Sequence, residues 1–323
     1  MSFDVAVIVV TYNSARQIEG CLKSAIGQRM GVSQQVIVLD NDSGDETVAL
    51  VRDGFPGVQL IQPGRNLGFA AGCNLAARHA EAEFLLLLNP DTVVLDHAVD
   101  KVVAFARANP GHGLYGGRTL KIDGSLEPSS CWGLPSLWSL TMFATGLSMV
   151  ARGNRILDPE SLGRWKRDSV REVGVVTGCF LLVERTLWNR LEGFDERYFM
   201  YGEDADLALR CRLAGFRPVI CPEATVVHEV GQSSATPIHK MMLLYRGKVR
   251  FFNVRFGRFA RPVAVFLLLT GVALRAVGSR VVGSLRGRGT VNDWLQVWSR
   301  RGEWLGRGEG GPGPASTGKG GLQ

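Results

Sequence analysis

The sequence predicts an α/β fold built on a mainly parallel, doubly wound sheet, followed by a C-terminal helical extension. Three observations carry this expectation. Apolar, β-branched runs alternate with helical patterns through the first half, the connections between them are short, and polar residues gather where the apolar runs end. A chain of 323 residues is long enough to bury a full core.

The elements follow in order. Val5 to Val10 reads as the first strand, and Ser14 with Gln17 makes a capping box for a helix through about Ile26. Val36 to Leu39 is the second strand; it ends on Asp40-Asn41-Asp42, with Ser43 and Glu46 placed to cap the next helix. Val58 to Ile61 is the third. Asn66 opens the glycine-rich segment NLGFAAGCN, which continues as a helix to about Ala80, and Phe84 to Leu88 is the fourth strand. That strand runs through four leucines into Asn89-Pro90-Asp91. Proline cannot continue a ladder, so Asp91 is delivered to a sheet edge. In open α/β sheets ligands collect beyond the carboxyl ends of the strands, which makes the polar clusters at Thr11-Tyr12-Asn13, Asp40-Asn41-Asp42, Asn66 and Asn89-Pro90-Asp91 a candidate nucleotide edge. For Asp91 two roles stand at this point: a cap for the segment after Thr92, or a ligand contact.

From Gly124 to about Arg171 the pattern weakens, with Trp132, Trp138 and Trp165 among Gly, Pro and Ser. The segment reads as a mobile acceptor-side loop region or as satellite core. Organisation returns at Val173 to Val176 and Cys179 to Val183, and reaches GFDERYFMYGEDADLALRCRLAGF, where a helix begins near Glu203 and stops at Gly215. Part of the acidity at that helix start is structural: Asp206 and Arg210 form an i,i+4 pair worth roughly 0.3 to 0.5 kcal/mol. Phe199, Met200 and Tyr201, however, wall in Glu203 and Asp204. A carboxylate beside aromatic side chains is biased toward a higher pKa, which suits a general base.

Composition narrows the class. The six cysteines form no CxxC pair and have no histidines at zinc-like spacing, so they read as small buried residues of a reducing compartment. The N-terminal MSFDVAVIVVTYN has no basic n-region, and a cytoplasmic protein is expected. TYNSAR after the first strand is not the glycine fingerprint of NAD or FAD binding, nor the basic loop of a nucleotidyltransferase. GPASTGKG near the C-terminus only approaches a phosphate loop, follows no strand, and reads as part of a disordered tail over 306–323.

VAVIVVTYNSARQIEGCLKSA, VIVLDNDSGDET, NLGFAAGCN, NPDTVV and GFDERYFMYGEDADLALR, in this order, resemble the inverting family 2 glycosyltransferases, in the bacterial branch that includes rhamnosyltransferases of cell-wall and surface-polysaccharide assembly. The match spans about Val5 to Ser234. The resemblance implies a GT-A fold over 1–235, with a nucleotide-sugar half (1–122) and an acceptor half (123–235). It implies a nucleotide-diphosphate sugar donor, with dTDP-rhamnose leading and UDP-galactofuranose or UDP-N-acetylglucosamine behind, and a saccharide or polyprenyl-linked acceptor. It also implies a divalent cation, Mg²⁺ or Mn²⁺, held by an Asp-x-Asp motif. Here that motif reads Asn89-Pro90-Asp91, which leaves one carboxylate, with His228 as the implied second ligand. By the same resemblance Thr11, Tyr12, Asn13, Asp40, Asn41, Asn66, Gly68, Asn74 and Asn89 lie along the donor, Gly178, Phe199, Tyr201 and Glu203 on the acceptor side, and Asp204 is the catalytic base. A satisfied strand-end histidine is the alternative for His228. The resemblance leaves oligomeric state open.

The net charge of +7 is unevenly placed. Between Val230 and Asn292 there is no acidic residue, while eleven lysines and arginines run from Lys240 to Arg288. Within this block Pro262 to Ala276 is apolar, shorter than the roughly 20 residues of a spanning helix. The expectation is a basic, amphipathic helical region over 236–305 that lies on an anionic membrane surface, at the inner face of the cell membrane, or else a helix packed on the catalytic domain. A nucleic-acid surface is the weaker reading, because the block is Leu/Val-rich where interleaved aromatics are expected.

Overall fold

In the computed structural model of the protein, residues 3–27, 31–229, 237–285 and 293–306 are described. The expected tail, with GPASTGKG, lies beyond them apart from Gly306. The first half runs β1 (Phe3–Thr11), α1 (Ile18–Gly27), β2 (Gln34–Asp40), α2 (Thr47–Gly54), β3 (Gln59–Ile61), α3 (Phe69–Ala77), β4 (Ala82–Leu88), β5 (Thr92–Val94), α4 (Ala98–Ala108) and β6 (Leu114–Leu120). Then come β7 (Cys131–Trp132), α5 (Leu137–Ala144), α6 (Leu147–Val150), β8 (Arg171–Glu172), β9 (Val175–Val176), β10 (Phe180–Glu184), α7 (Arg185–Arg190), α8 (Glu203–Leu213) and β11 (Val219–His228). The extension comprises α9 (Pro237–Arg255), α10 (Ala260–Leu285), α11 (Asp293–Ser299) and α12 (Arg301–Trp304).

The main sheet has the order β3-β2-β1-β4-β10-β6-β11-β5, with β8 alongside β11. Strands β3, β2, β1 and β4 are parallel, β10 is antiparallel to both β4 and β6, and β11 is parallel to β6. Two apolar layers cover the faces. One gathers α3, α5, α8 and the extension; the other gathers α1, α2 and α4. Burial on both faces explains why β1 and β4 read as unbroken apolar runs, and Leu85, Leu86 and Leu87 are fully buried.

Local chemistry shifts several expected boundaries. The Ser14 hydroxyl exchanges hydrogen bonds with the Tyr12 backbone, 3.3 and 3.4 Å, so α1 begins only at Ile18. At α2 the cap is Asp45, whose carboxylate accepts from the Thr47 N–H at 3.1 Å, because Ser43 spends its hydroxyl on Asp40. Of the strand expected at Val173 to Val176 only Val175–Val176 forms, as β9, while the preceding β8 lies at Arg171–Glu172. A Cβ on Gly174 would stand 2.2 Å from the Leu134 nitrogen, and there the chain passes from β8 in the main sheet to β9, which pairs with β7.

The weakly patterned segment is ordered structure. Helix α5 starts with a reciprocal capping box between Ser136 and Ser139 and packs on α10. Arg167, 1% exposed, donates to the carbonyls of Trp165, Pro128, Cys131 and Ser161, so one side chain ties the segment together. Trp132 and Trp165 pack against the core as satellite residues, while Trp138 is half exposed.

The extension shares the core of the acceptor side: Phe251, Phe252, Ala264, Leu268, Val272, Val297 and Trp304 are buried in the same cluster as α8. Helix α10 is 26 residues long and continues through Arg275. Its Ala260–Val281 stretch, 22 residues with mean hydropathy 1.8, is long and apolar enough to cross a membrane, so the shortness expected from Pro262 to Ala276 does not hold. Arg275 is accommodated because its guanidinium lies 3.8 Å from the Phe143 ring and donates to the Phe143 and Gly271 carbonyls. Ala264, Leu268, Val272 and Ala276 form the buried face, whereas Val263, Phe266, Leu274, Val277 and Val281 form an exposed stripe opposite.

Candidate active site

Three strand ends assemble the edge expected to face a donor. At the end of β1 the buried Thr11 hydroxyl donates to Asp40 at 2.9 Å, and Asp40 also accepts from the Ser43 N–H and hydroxyl. Asn13 holds the facing loop, accepting from the Gly44 N–H at 2.8 Å, while its own N–H donates to Ser43. Asn41 reaches across to the glycine-rich segment: its amide donates to the Gly68 carbonyl and accepts from the Leu67 N–H, both 3.1 Å. Asn66 accepts from the Gly68 N–H at 2.9 Å. The expected donor residues therefore share one sheet edge, but the side chains of Asp40, Asn41 and Asn66 are partly spent on building it. Tyr12 stays 38% exposed beside them.

Asn74 does something different from the donor contact expected of it. It is buried on α3, donating to the Phe194 carbonyl and Glu196 and accepting from the Phe194 N–H. Its amide fastens α3 to the loop that leads into α8 and has nothing left for a donor.

Asp91 meets His228 through strand pairing. Antiparallel β5 and β11 place Thr92 opposite His228, and the Glu229 N–H donates to the Asp91 carbonyl at 2.9 Å. His228 Nε2 lies 3.1 Å from Asp91 Oδ1 and 3.4 Å from the Asn89 amide nitrogen. An amide nitrogen only donates, so Nε2 either accepts from Asn89 or carries its proton toward Asp91, according to tautomer. Asp91 Oδ1 is buried and makes no hydrogen bond among the described residues. A buried carboxylate oxygen thus lies at contact distance from an imidazole nitrogen, an arrangement that a shared cation would satisfy. The donor set of one carboxylate and one imidazole suits Mg²⁺ or Mn²⁺ when phosphate oxygens complete the shell. Among the described residues no cluster of three or more His, Cys, Asp or Glu side chains converges, so the protein's own contribution stays small.

On the opposite side, the turn Phe199–Gly202 leads into α8. Tyr201 and Gly202 both take positive φ, +67° and +102°, and the helix then places Glu203 and Asp204 in its first turn. Both acids are buried. Desolvation raises the Asp204 carboxyl to about 7, against the stabilising Ala205 N–H at 2.8 Å. Glu203 is driven well above the carboxylate range by burial and then by the Asp204 charge, and one of its oxygens has no hydrogen bond among the described residues. Asp206 is bound by Arg210 at 2.7 Å, as expected of a structural pair. The two halves meet in one electrostatic field. Burial raises the Cys179 thiol to about 12, with the Asp91 and Asp204 charges both adding, and Tyr201 is raised to about 12 by burial with Glu203 and Asp91 adding.

Gly178 stands against the Phe69 ring, where a Cβ would come within 2.8 Å, and the Phe199 carbonyl accepts from the Phe69 N–H at 2.8 Å. Gly178 and Phe199, expected on the acceptor side, are therefore brought to α3. Two contributors had no signal in the sequence reading: Cys179, whose carbonyl accepts from the Asn89 N–H at 3.1 Å, and Gly247 of α9, which touches the Tyr201-Gly202 turn.

The sequence profile of Glycosyl transferase family 2 matches residues 6–159. Over that stretch the chain carries the family 2 glycosyltransferase pattern. It is 29% identical over 295 residues to the N-acetylglucosaminyl-diphospho-decaprenol L-rhamnosyltransferase of Mycobacterium tuberculosis, covering 84% of this chain and 91% of that one. Rhamnosyltransferase WbbL of Escherichia coli is 26% identical over 206 residues, 60% of this chain and 72% of the other. The chain shares its fold with a mannosyltransferase from Pyrobaculum calidifontis solved with GDP-Man and Mn²⁺: the TM-score is 0.57 at 19% identity, over 94% of this chain and 85% of the other. The chain thus has the GT-A architecture, a mostly parallel sheet with helices on both faces.

Proposed function

We propose that the enzyme transfers L-rhamnose from dTDP-rhamnose, with inversion, to the saccharide of a polyprenyl-linked acceptor in cell-wall or surface-polysaccharide synthesis. The observations that support this reading are Asp91 beside His228 where β5 pairs with β11, and the buried Asp204 in the first turn of α8. Asp204 takes the proton from an acceptor hydroxyl as that oxygen attacks the anomeric carbon and the bond to the diphosphate breaks. One displacement of this kind inverts the anomeric centre and needs no covalent enzyme intermediate. Asp91 and His228 would hold a divalent cation, which when bound offsets charge on the departing nucleoside diphosphate. Thr11, Asp40 and Asn41 frame the nucleotide end, and the Asn66–Gly68 backbone lies where the diphosphate passes.

The rhamnose assignment rests on the relatives named above and on the shared order of motifs. For the acceptor, the exposed stripe of α10 and the absence of acidic residues from Val230 to Asn292 support a protein lying on an anionic lipid surface, where a polyprenyl-linked substrate resides. The experiment is a donor screen with purified protein and Mg²⁺ or Mn²⁺. Release of nucleoside diphosphate is followed with dTDP-rhamnose, UDP-galactofuranose and UDP-N-acetylglucosamine. Turnover confined to dTDP-rhamnose supports the reading; turnover confined to a UDP-sugar replaces the donor, and release untouched by chelator removes the cation.

A further inference from the structure

The turn that aims Asp204 is held from behind by the C-terminal extension. Gly247 lies in the interior of the 19-residue helix α9, where glycine is unfavourable relative to alanine and needs a packing reason. That reason is contact: a Cβ on Gly247 would stand 2.0 Å from the Tyr201 carbonyl oxygen and 2.9 Å from its carbon, both backbone atoms that no rotamer change can clear. From the other direction, a Cβ on Gly202 would come within 3.2 Å of the Gly247 Cα. The same helix face grips the preceding residue, for Arg250 lies over the Tyr198 ring at 5.8 Å, and Leu243 and Phe251 are buried alongside.

Opposite α9 the turn is pinned to the donor-side helix. The Phe199 carbonyl accepts from the Phe69 N–H, and a Cβ on Gly68 would stand 2.4 Å from that carbonyl oxygen. A turn in left-handed backbone is thereby clamped between the glycine loop beside the donor and a helix that belongs to the extension. The base sits three residues after Tyr201, on a helix whose first bonds include the Asp206 N–H to the Gly202 carbonyl at 3.0 Å.

We propose that Gly247 is a positioning residue for Asp204: its bare backbone is the stop that seats the Tyr201-Gly202 turn, so that the extension sets the reach of the base. The inference rests on Asp204 being the base. The test compares Gly247→Ala with Gly278→Ala, a glycine on α10 with nothing within 4 Å, in the full-length protein. Donor binding, kcat, and the pH dependence of kcat are measured. Gly247→Ala should bind nucleotide sugar within about 3-fold of the parent, lose roughly 30- to 100-fold in kcat, and shift the pH midpoint of kcat downward as the displaced turn admits water to the carboxylate. Gly278→Ala should match the parent. A Gly247→Ala protein with kcat within 3-fold, or with lowered kcat and an unmoved pH midpoint, overturns the inference. If Gly247→Ala does not fold, Arg250→Met, which releases Tyr198 without adding bulk, carries the same expectations and the same overturning results. An active Asp204→Asn enzyme would remove the base itself. An inactive Asp204→Asn beside a fully active Gly247→Ala would remove only the role of Gly247.

Discussion

His228 Nε2 lies 3.1 Å from Asp91 Oδ1, a buried oxygen with no hydrogen bond among the described residues. A buried carboxylate oxygen left without a hydrogen bond is costly, and a cation at this contact would offset that cost. The β5–β11 register, which sets Thr92 opposite His228, brings the two side chains together.

Asp91→Asn keeps the shape and removes the anionic oxygen. Transfer should fall on the order of 10²-fold or more, about 2.7 kcal/mol at 1.36 kcal/mol per tenfold, and the Mn²⁺ dependence of donor binding should flatten. Donor titrations with and without Mn²⁺ read this directly; an undiminished response to the cation would place it elsewhere.

Asp204→Asn should cut kcat by roughly 10²- to 10⁴-fold, the range for a lost general base, with donor affinity kept within about 2-fold. Equal loss of donor binding would take Asp204 out of the base role.

With Asp204 raised to about 7 by burial, its base form is lost as pH falls below that value. The kcat profile should therefore climb through about pH 7 and level off above it. Burial first and the Asp204 charge second push Glu203 up, which favours its neutral form beside Asp204. Glu203→Gln, which mimics that neutral acid, should leave the midpoint in place; a midpoint that moves would mean the two acids share the proton differently.

Asn74→Ala strips partners from the Phe194 N–H and carbonyl in the interior. Two unmet backbone groups should cost about 2 to 4 kcal/mol, seen as a fall in Tm of several degrees, while the KM for donor barely changes. A raised KM at unchanged Tm would restore Asn74 to the donor site.

Phe266→Asp places a charge in the exposed stripe of α10 without touching its buried face. Cosedimentation with vesicles containing anionic lipid should drop, and a fall in binding of the parent protein with added salt should accompany it. Equal recovery of parent and variant would take the stripe out of any lipid contact.

The sheet-forming half was legible because its physics is local. β1 and β4 are buried on both faces and read as apolar runs, and the polar residues at their ends have no other reason to interrupt them. Strand β6 was hidden by Gly116 and Gly117, whose missing side chains are demanded by neighbours: a Cβ would meet Val176 at 2.6 Å and the Ala224 carbonyl at 2.4 Å. Helix α5 was hidden because LWSLTMFA is apolar on nearly every side, a consequence of lying between the catalytic core and α10. In the candidate site, the burial of Asp204 and Asp91 at element ends was legible from the apolar residues around them. Asn74 misled because an asparagine near a glycine loop has the same spelling whether it faces a ligand or the interior. Gly247 carried no mark at all, since what requires it is a carbonyl 46 positions earlier in the chain, at Tyr201, reached only through the tertiary fold.

The pairing of β5 with β11 also orders events in time. Asn89 and His228 are 139 positions apart, so a ribosome must finish most of the polypeptide before the histidine that faces Asp91 exists. Until that last strand zips into place, a nascent chain has a leucine-rich strand ending in a lone carboxylate with no partner across the sheet, so closure of this contact is a late mark of complete folding.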